Sequence, residues 1–132
     1  MTLSELKTQI YNILTVDLGY NVTDNPYEQE PKSFPCVFLT LSSTNRDLRK
    51  KIYWFKHVFK IDIFSDYDGE KEILEMEEAI YEKMQKLYDN EYVTHMRESG
   101  FHIQDDKSTG VLRKHGVIRY TIYSGGGIAD NE

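Results

Sequence analysis

The sequence predicts an α+β fold: a roughly four-stranded mixed or antiparallel sheet with an N-terminal helix and a long crossover helix packed against it. Three observations point there. Apolar residues near the N-terminus recur at three- and four-residue spacing, a second such pattern spans residues 69–88, and residues 52–64 and 111–123 alternate strictly. Helical and strand periodicities place apolar side chains on one face each, and such faces must be buried against one another.

Residues 2–18 form the first helix, with Leu3, Leu6, Ile10, Ile13 and Leu14 on one stripe. Thr2 and Glu5 have the spacing of a capping box, and Gly19 stands where the helix should stop. Residues 19–35, rich in Gly, Asn, Asp and Pro, read as a long irregular connection. A strand follows at 36–43, alternating Val37, Leu39 and Leu41 with Phe38, Thr40 and Ser42. Residues 43–51 read as a polar loop holding Arg46, Arg49, Lys50 and Lys51, the densest basic cluster of an acidic chain. It suits a solvated hairpin tip and a partner-binding loop equally.

The strand from Ile52 to Phe64 carries the strongest β signal. Tyr53, Phe55, His57, Phe59, Ile61 and Ile63 share the face expected to meet the core. Trp54, Lys56, Val58, Lys60, Asp62 and Phe64 share the other, which suits partial cover by another element or another subunit. The helix at 69–88 sets Ile73, Met76, Ile80, Met84 and Leu87 on one stripe, flanked by Leu74, Tyr81 and Tyr88. It is the expected crossover back into the sheet. Residues 89–100 suit a short helix ending at Gly100, residues 101–105 a short strand, and residues 105–110 a turn. The last strand, 111–123, places Ile118, Tyr120 and Ile122 opposite Arg113, His115 and Arg119. Residues 1–123 are thus expected to form one domain, with flexible loops at 19–35 and 43–51 and a disordered tail at 124–132.

A chain of 132 residues can bury about two-thirds of its unfolded surface. At 13% aromatic residues, including ten tyrosines, rings must supply much of the core and of any interface. A net charge of −6 argues against sequence-independent nucleic-acid binding, which needs Lys and Arg on phosphates. The one cysteine, Cys36, cannot form an internal disulfide, which suits a reducing compartment. No signal peptide or membrane-spanning run is visible, so a cytosolic origin and no membrane contact are expected.

Candidate sites were weighed against plainer readings. Asp66-x-Asp68-Gly69 with Glu75 has the outline of a calcium loop, but its first ligand position falls on Phe64. Capping of the helix by Ser65, Asp66 or Asp68 is the better reading. His57, His95, His102 and His115 lack metal-binding spacing, and His57 reads as a core histidine with a hydrogen-bond partner. Lys107-Ser108-Thr109-Gly110 and Gly125-Gly126-Gly127 lack the strand and helix context of a phosphate loop. The reading is therefore of a non-enzyme with no cofactor and no catalytic or metal residues. A small metal-dependent hydrolase or nuclease using Asp62, Asp66, Asp68 and a histidine is the alternative from another class, and a generic adaptor domain a third.

Several phrases together resemble the tail terminator, or tail-completion, proteins of long-tailed bacteriophages. They are SFPCVFLTL, then a basic loop, then HVFKIDIFS, DGEKEILEMEEAIYEKM and DDKSTGVLRKHGVIRYTIY, so that the resemblance spans about residues 3–123. The resemblance implies a structural virion protein that forms a ring, typically a hexamer, on the end of the tail tube. Its implied partners are further copies of itself, the major tail tube protein and the head–tail connector protein, with genomic DNA passing through unbound. It implies a place in the virion at the head–tail interface, and in the host cytoplasm during assembly. Another neck protein, such as a head-completion or stopper protein, is similar enough to stand as the alternative. No family motif assigns binding residues; Arg46, Arg49, Lys50, Lys51 and Trp54 are the candidates for partner contact.

Overall fold

The computed structural model describes residues 3–23, 34–49, 52–66, 69–89, 93–106 and 113–128. Helix α1 (Leu3–Asn12) continues as a wider π-helical turn, Ile13–Asp17. Strand β1 (Asn21–Thr23) follows, then β2 (Cys36–Arg49) and β3 (Ile52–Ser65). Helix α2 (Lys71–Met84) closes with a 3₁₀ turn, Gln85–Asp89, before β4 (Val93–Asp106) and β5 (Arg113–Ile128).

The five strands form one mixed sheet in the order β1-β2-β3-β5-β4. β1 pairs with β2 in parallel, and the remaining neighbours are antiparallel. Helix α2 carries the chain from β3 past β5 to the far edge, so the crossover expected from the sequence is present and β5 fills the place between.

The core forms where both helices meet one face of the sheet. Leu6, Ile10, Ile13 and Leu14 from α1 and its turn join Ile73, Met76, Ile80, Met84 and Leu87 from α2. They pack on Val37 and Leu39 of β2, Phe59, Ile61 and Ile63 of β3, Met96 of β4, and Ile118, Tyr120 and Ile122 of β5. Both helical stripes read from the sequence are therefore the buried ones. Gly19 ends the first helix as expected: its φ of +71° lies in the left-handed region, and Tyr20 N–H donates to the Leu14 carbonyl at 2.9 Å. Thr2, the expected cap at the other end, lies outside the described residues.

Four expectations need correction. The stretch 43–51, read as a loop, is strand through Arg49; a register shift between Leu41 and Ser43 lets the alternation resume on new partners. The irregular segment contains β1, whose three residues are too few to show a period. Residues 93–100, read as a short helix, belong to β4, whose alternation is broken by shifts at Val93/His95 and Glu98/Gly100. β5 runs on to Ile128, with Ser124 buried, so residues 124–128 belong to the sheet.

Candidate functional site

The joint between β3 and α2 is held locally. Glu70, rather than the expected Ser65, Asp66 or Asp68, occupies the N-cap position of α2, and it makes no side-chain capping bond; Asp68 lies outside the described residues. Buried Ser65 instead donates its hydroxyl to Glu72 Oε1 at 2.5 Å, tying the strand end to the first helical turn. Glu72 there also meets the positive end of the helix. Among the described residues, no three His, Cys, Asp or Glu side chains converge to hold a metal ion.

His57 is the core histidine anticipated from its place on the apolar face. It is 1% exposed, with Nδ1 3.1 Å from Thr44 Oγ1 on β2 and Nε2 2.9 Å from Ser124 Oγ on β5. The imidazole thus links three strands, and burial lowers its pKa, which favours the neutral ring.

On the sheet face away from the helices, Asp62 receives a hydrogen bond from His115 Nε2 at 2.7 Å, with Lys60 Nζ 3.6 Å away. The His115 ring stacks on Phe64 with centroids 4.2 Å apart, and Gln104 approaches its Nδ1 at 3.3 Å. Asp62 does meet a histidine, as the nuclease alternative requires. But the pair is packed against an aromatic ring and a lysine, and Asp66 is exposed elsewhere.

A cleft between the end of α2 and strands β4 and β5 was not foreseen. It holds about 450 Å³ and is lined by Tyr81, Gln85, Tyr88, Met96, Arg97, Glu98 and Tyr120. Glu98 and Tyr120 are register partners on the helix side of the sheet. Glu98 reaches Glu77 of α2, and burial, then that hydrogen bond, then the Glu77 charge push its pKa up to about 7. Fully buried Tyr120 is raised as well, by burial first and then by Glu98, Glu77 and Tyr81. Neither Glu98 Oε1 nor the Tyr120 hydroxyl has a hydrogen-bond partner. Tyr88 closes one wall, donating to the Met96 carbonyl at 2.6 Å and accepting from its N–H at 3.1 Å. The sequence signal for this site was the Met96–Glu98 alternation, hidden by the bulge two residues later.

Of the partner-contact candidates, Arg46 and Arg49 lie on the outer rungs of the β2–β3 ladder, opposite Phe55 and Ile52, and Trp54 lies opposite Asp47. Their side chains, and Lys50 and Lys51 altogether, lie outside the described residues.

Two helices thus cover one side of a five-stranded sheet, and His57, Asp62 and Ser65 are each held by neighbouring side chains. A family model described as phage tail terminator protein matches residues 5–124. The chain belongs to that family, and is a structural protein of the phage tail in the virion, not an enzyme. A chain of a solved structure titled virion of native gene transfer agent particle is similar, with 14% identity and a TM-score of 0.40 over 91% of this chain and 95% of that one. A search of curated proteins found no match.

Proposed function

We propose that the protein caps the end of the assembled tail tube as a ring, a hexamer, which stops tube growth and presents the surface that docks the head connector. The observation that carries this reading is membership of the tail terminator family across residues 5–124. The physical chemistry supports it. A chain of net charge −6 around a channel repels DNA phosphates and lets the genome pass without binding. Exposed Tyr11, Leu74, Tyr81 and Tyr88 supply the aromatic and aliphatic contacts that interfaces favour. The partners in this reading are neighbouring copies, the major tail tube protein and the head–tail connector protein. Arg46, Arg49, Lys50, Lys51 and Trp54 carry contacts within that assembly.

The test is complementation. Purified protein added to tail tubes that lack their terminator should yield tails able to join filled heads, seen by electron microscopy and by plaque formation. Tails that still fail to join would refute the reading. Reversing charge at Arg46, Arg49, Lys50 and Lys51 together should impair joining while the circular dichroism spectrum stays unchanged. Unaltered joining would reduce that cluster to solvated surface.

A further inference from the structure

We propose that the Glu77–Glu98–Tyr120 cleft is a receptor for a cationic side chain, and that its occupant is the basic end of the β2–β3 hairpin of a second copy of this chain. This rests on the ring reading and assigns the contact that joins one subunit to the next.

Two buried oxygens in the cleft lack partners. Glu98 Oε1 and the Tyr120 hydroxyl are buried and unpartnered, and leaving such atoms without hydrogen bonds costs about 1–3 kcal/mol each. Tyr120 is fully enclosed and lines the cavity, so its hydroxyl can be reached only from within. Burial first, then the hydrogen bond to Glu77 and its charge, push the Glu98 pKa up to about 7, so the two carboxyl groups share a proton near neutrality. The groups facing it are Glu77 and Tyr81 from α2, Tyr88 from the following turn, Arg97 of the same strand and Tyr120 of β5. Tyr81 and Tyr88, 49% and 44% exposed, stand at the rim. Carboxylate acceptors behind aromatic rings match an arginine or lysine side chain, by charge-assisted hydrogen bonds at the tip and cation–π contact along the stem. An arriving cation displaces the shared proton and supplies the missing donors.

Charge and topology select the occupant. The densest cationic cluster of this acidic chain is Arg46, Arg49, Lys50 and Lys51. The ladder runs five rungs past the Thr44–His57 pair to Arg49–Ile52, which carries the hairpin roughly 17 Å beyond that point. The cleft is built against β4, at the other edge of the sheet from β1 and β2. Donor and receptor thus occupy different parts of one molecule, and a contact between them is head-to-tail, the kind that closes into rings.

Cysteine pairing tests this in assembled tails, since the native Cys36 is 1% exposed. The variant Asp47→Cys/Gln85→Cys, treated with a short bismaleimide, should give a ladder of covalent oligomers up to the whole ring. Each single variant should stay monomeric. Adding Glu77→Gln and Glu98→Gln should cut the ladder yield about tenfold, as expected for lost charge-assisted bonds. Rings visible at the tail ends without a ladder, dimers from either single variant, or a yield indifferent to the carboxylates would each overturn the inference and leave the ring standing. Tail ends without any ring would refute the ring reading itself, and this inference with it.

Discussion

At Gly116 helix α2 comes close to the sheet. A Cβ built there would lie 2.5 Å from Ile73 Cγ2, with Phe101 Cε1 at 3.6 Å and Ile63 Cβ at 3.8 Å. Carbon atoms in good contact sit about 3.5–4.0 Å apart, so roughly 1 Å must be found. Ile73 cannot easily supply it: it is fully buried, and its Cγ2 belongs to a β-branched side chain with one favoured rotamer in a helix. Gly116→Ala should therefore destabilise the protein by about 1–3 kcal/mol, the usual cost of overpacking. Strand propensity alone points the other way, since glycine is the poorer strand former. Ile73→Ala alone should cost about 2–5 kcal/mol through the cavity it leaves. With both changes, the alanine methyl of residue 116 occupies part of that cavity, and the double variant should be no less stable than Ile73→Ala. Urea unfolding followed by circular dichroism measures all three against the parent at a common slope. Additive effects, or a Gly116→Ala variant within about 0.5 kcal/mol of the parent, would refute the close approach of α2 to β5.

Three further outcomes follow from the polar groups. Glu98 titrates near 7 in the folded chain, above its ordinary 4.5, so its contribution is fully present below about pH 4.5 and is lost as pH rises through 7. The full displacement would be worth about 3 kcal/mol, which solvent screening at the open cleft reduces to on the order of 1 kcal/mol. Glu98→Gln should flatten that part of the stability–pH curve, and an unchanged curve would show that burial beside Glu77 does not raise the Glu98 pKa. His57 acts in the opposite sense: its pKa is lowered by burial, so it destabilises the fold as pH falls below about 6.5. Nitrogen chemical shifts of the imidazole should report a neutral ring at pH 6, and a ring titrating at its ordinary value would contradict the buried setting. Ser124→Ala removes the hydroxyl 2.9 Å from His57 Nε2 and should cost about 1–2 kcal/mol in urea unfolding; no loss would mean that the end of β5 does not close over His57.

Much of the fold was legible because both helices and β3 have a simple geometric period. Leu6, Ile10, Ile73, Ile80 and Leu87 lie where a 3.6-residue repeat puts them, and Phe59, Ile61 and Ile63 where a two-residue repeat does. Legibility failed where the period breaks. The shift at Leu41/Ser43 moves the alternation of β2 just where its composition turns polar, so the outer rungs resemble a loop. Two shifts in β4 disguise fourteen residues of strand as a short helix and a fragment. The cleft was lost with it, because Glu98 acquires its neighbours only when β4 lies beside β5 and beneath α2. His57 was legible as a core histidine, but Ser124 was not, having been assigned to a tail. Asp62 and His115 are 53 residues apart in sequence, and only the β3–β5 register brings them to 2.7 Å.

The joint and the cleft differ in where their carboxylate charge goes. At the joint, Glu72 accepts a hydrogen bond from Ser65 and lies in the first turn of α2, so its charge is used inside the fold. Ser65→Ala should accordingly lower stability by about 1 kcal/mol, read from urea unfolding, and leave tail assembly intact. At the cleft, Glu98 Oε1 has no donor, and burial raises the cost of the Glu98 charge. Glu98→Gln relieves that cost, so it should hold or raise the stability of the free chain above pH 7 while weakening subunit contacts in the assembled ring. Opposite signs in one variant separate a group kept for assembly from a group kept for folding. If Glu98→Gln lowered stability at pH 8 and left assembly unchanged, the carboxylate would belong to the fold as Glu72 does, and the cleft would have no claim on a partner.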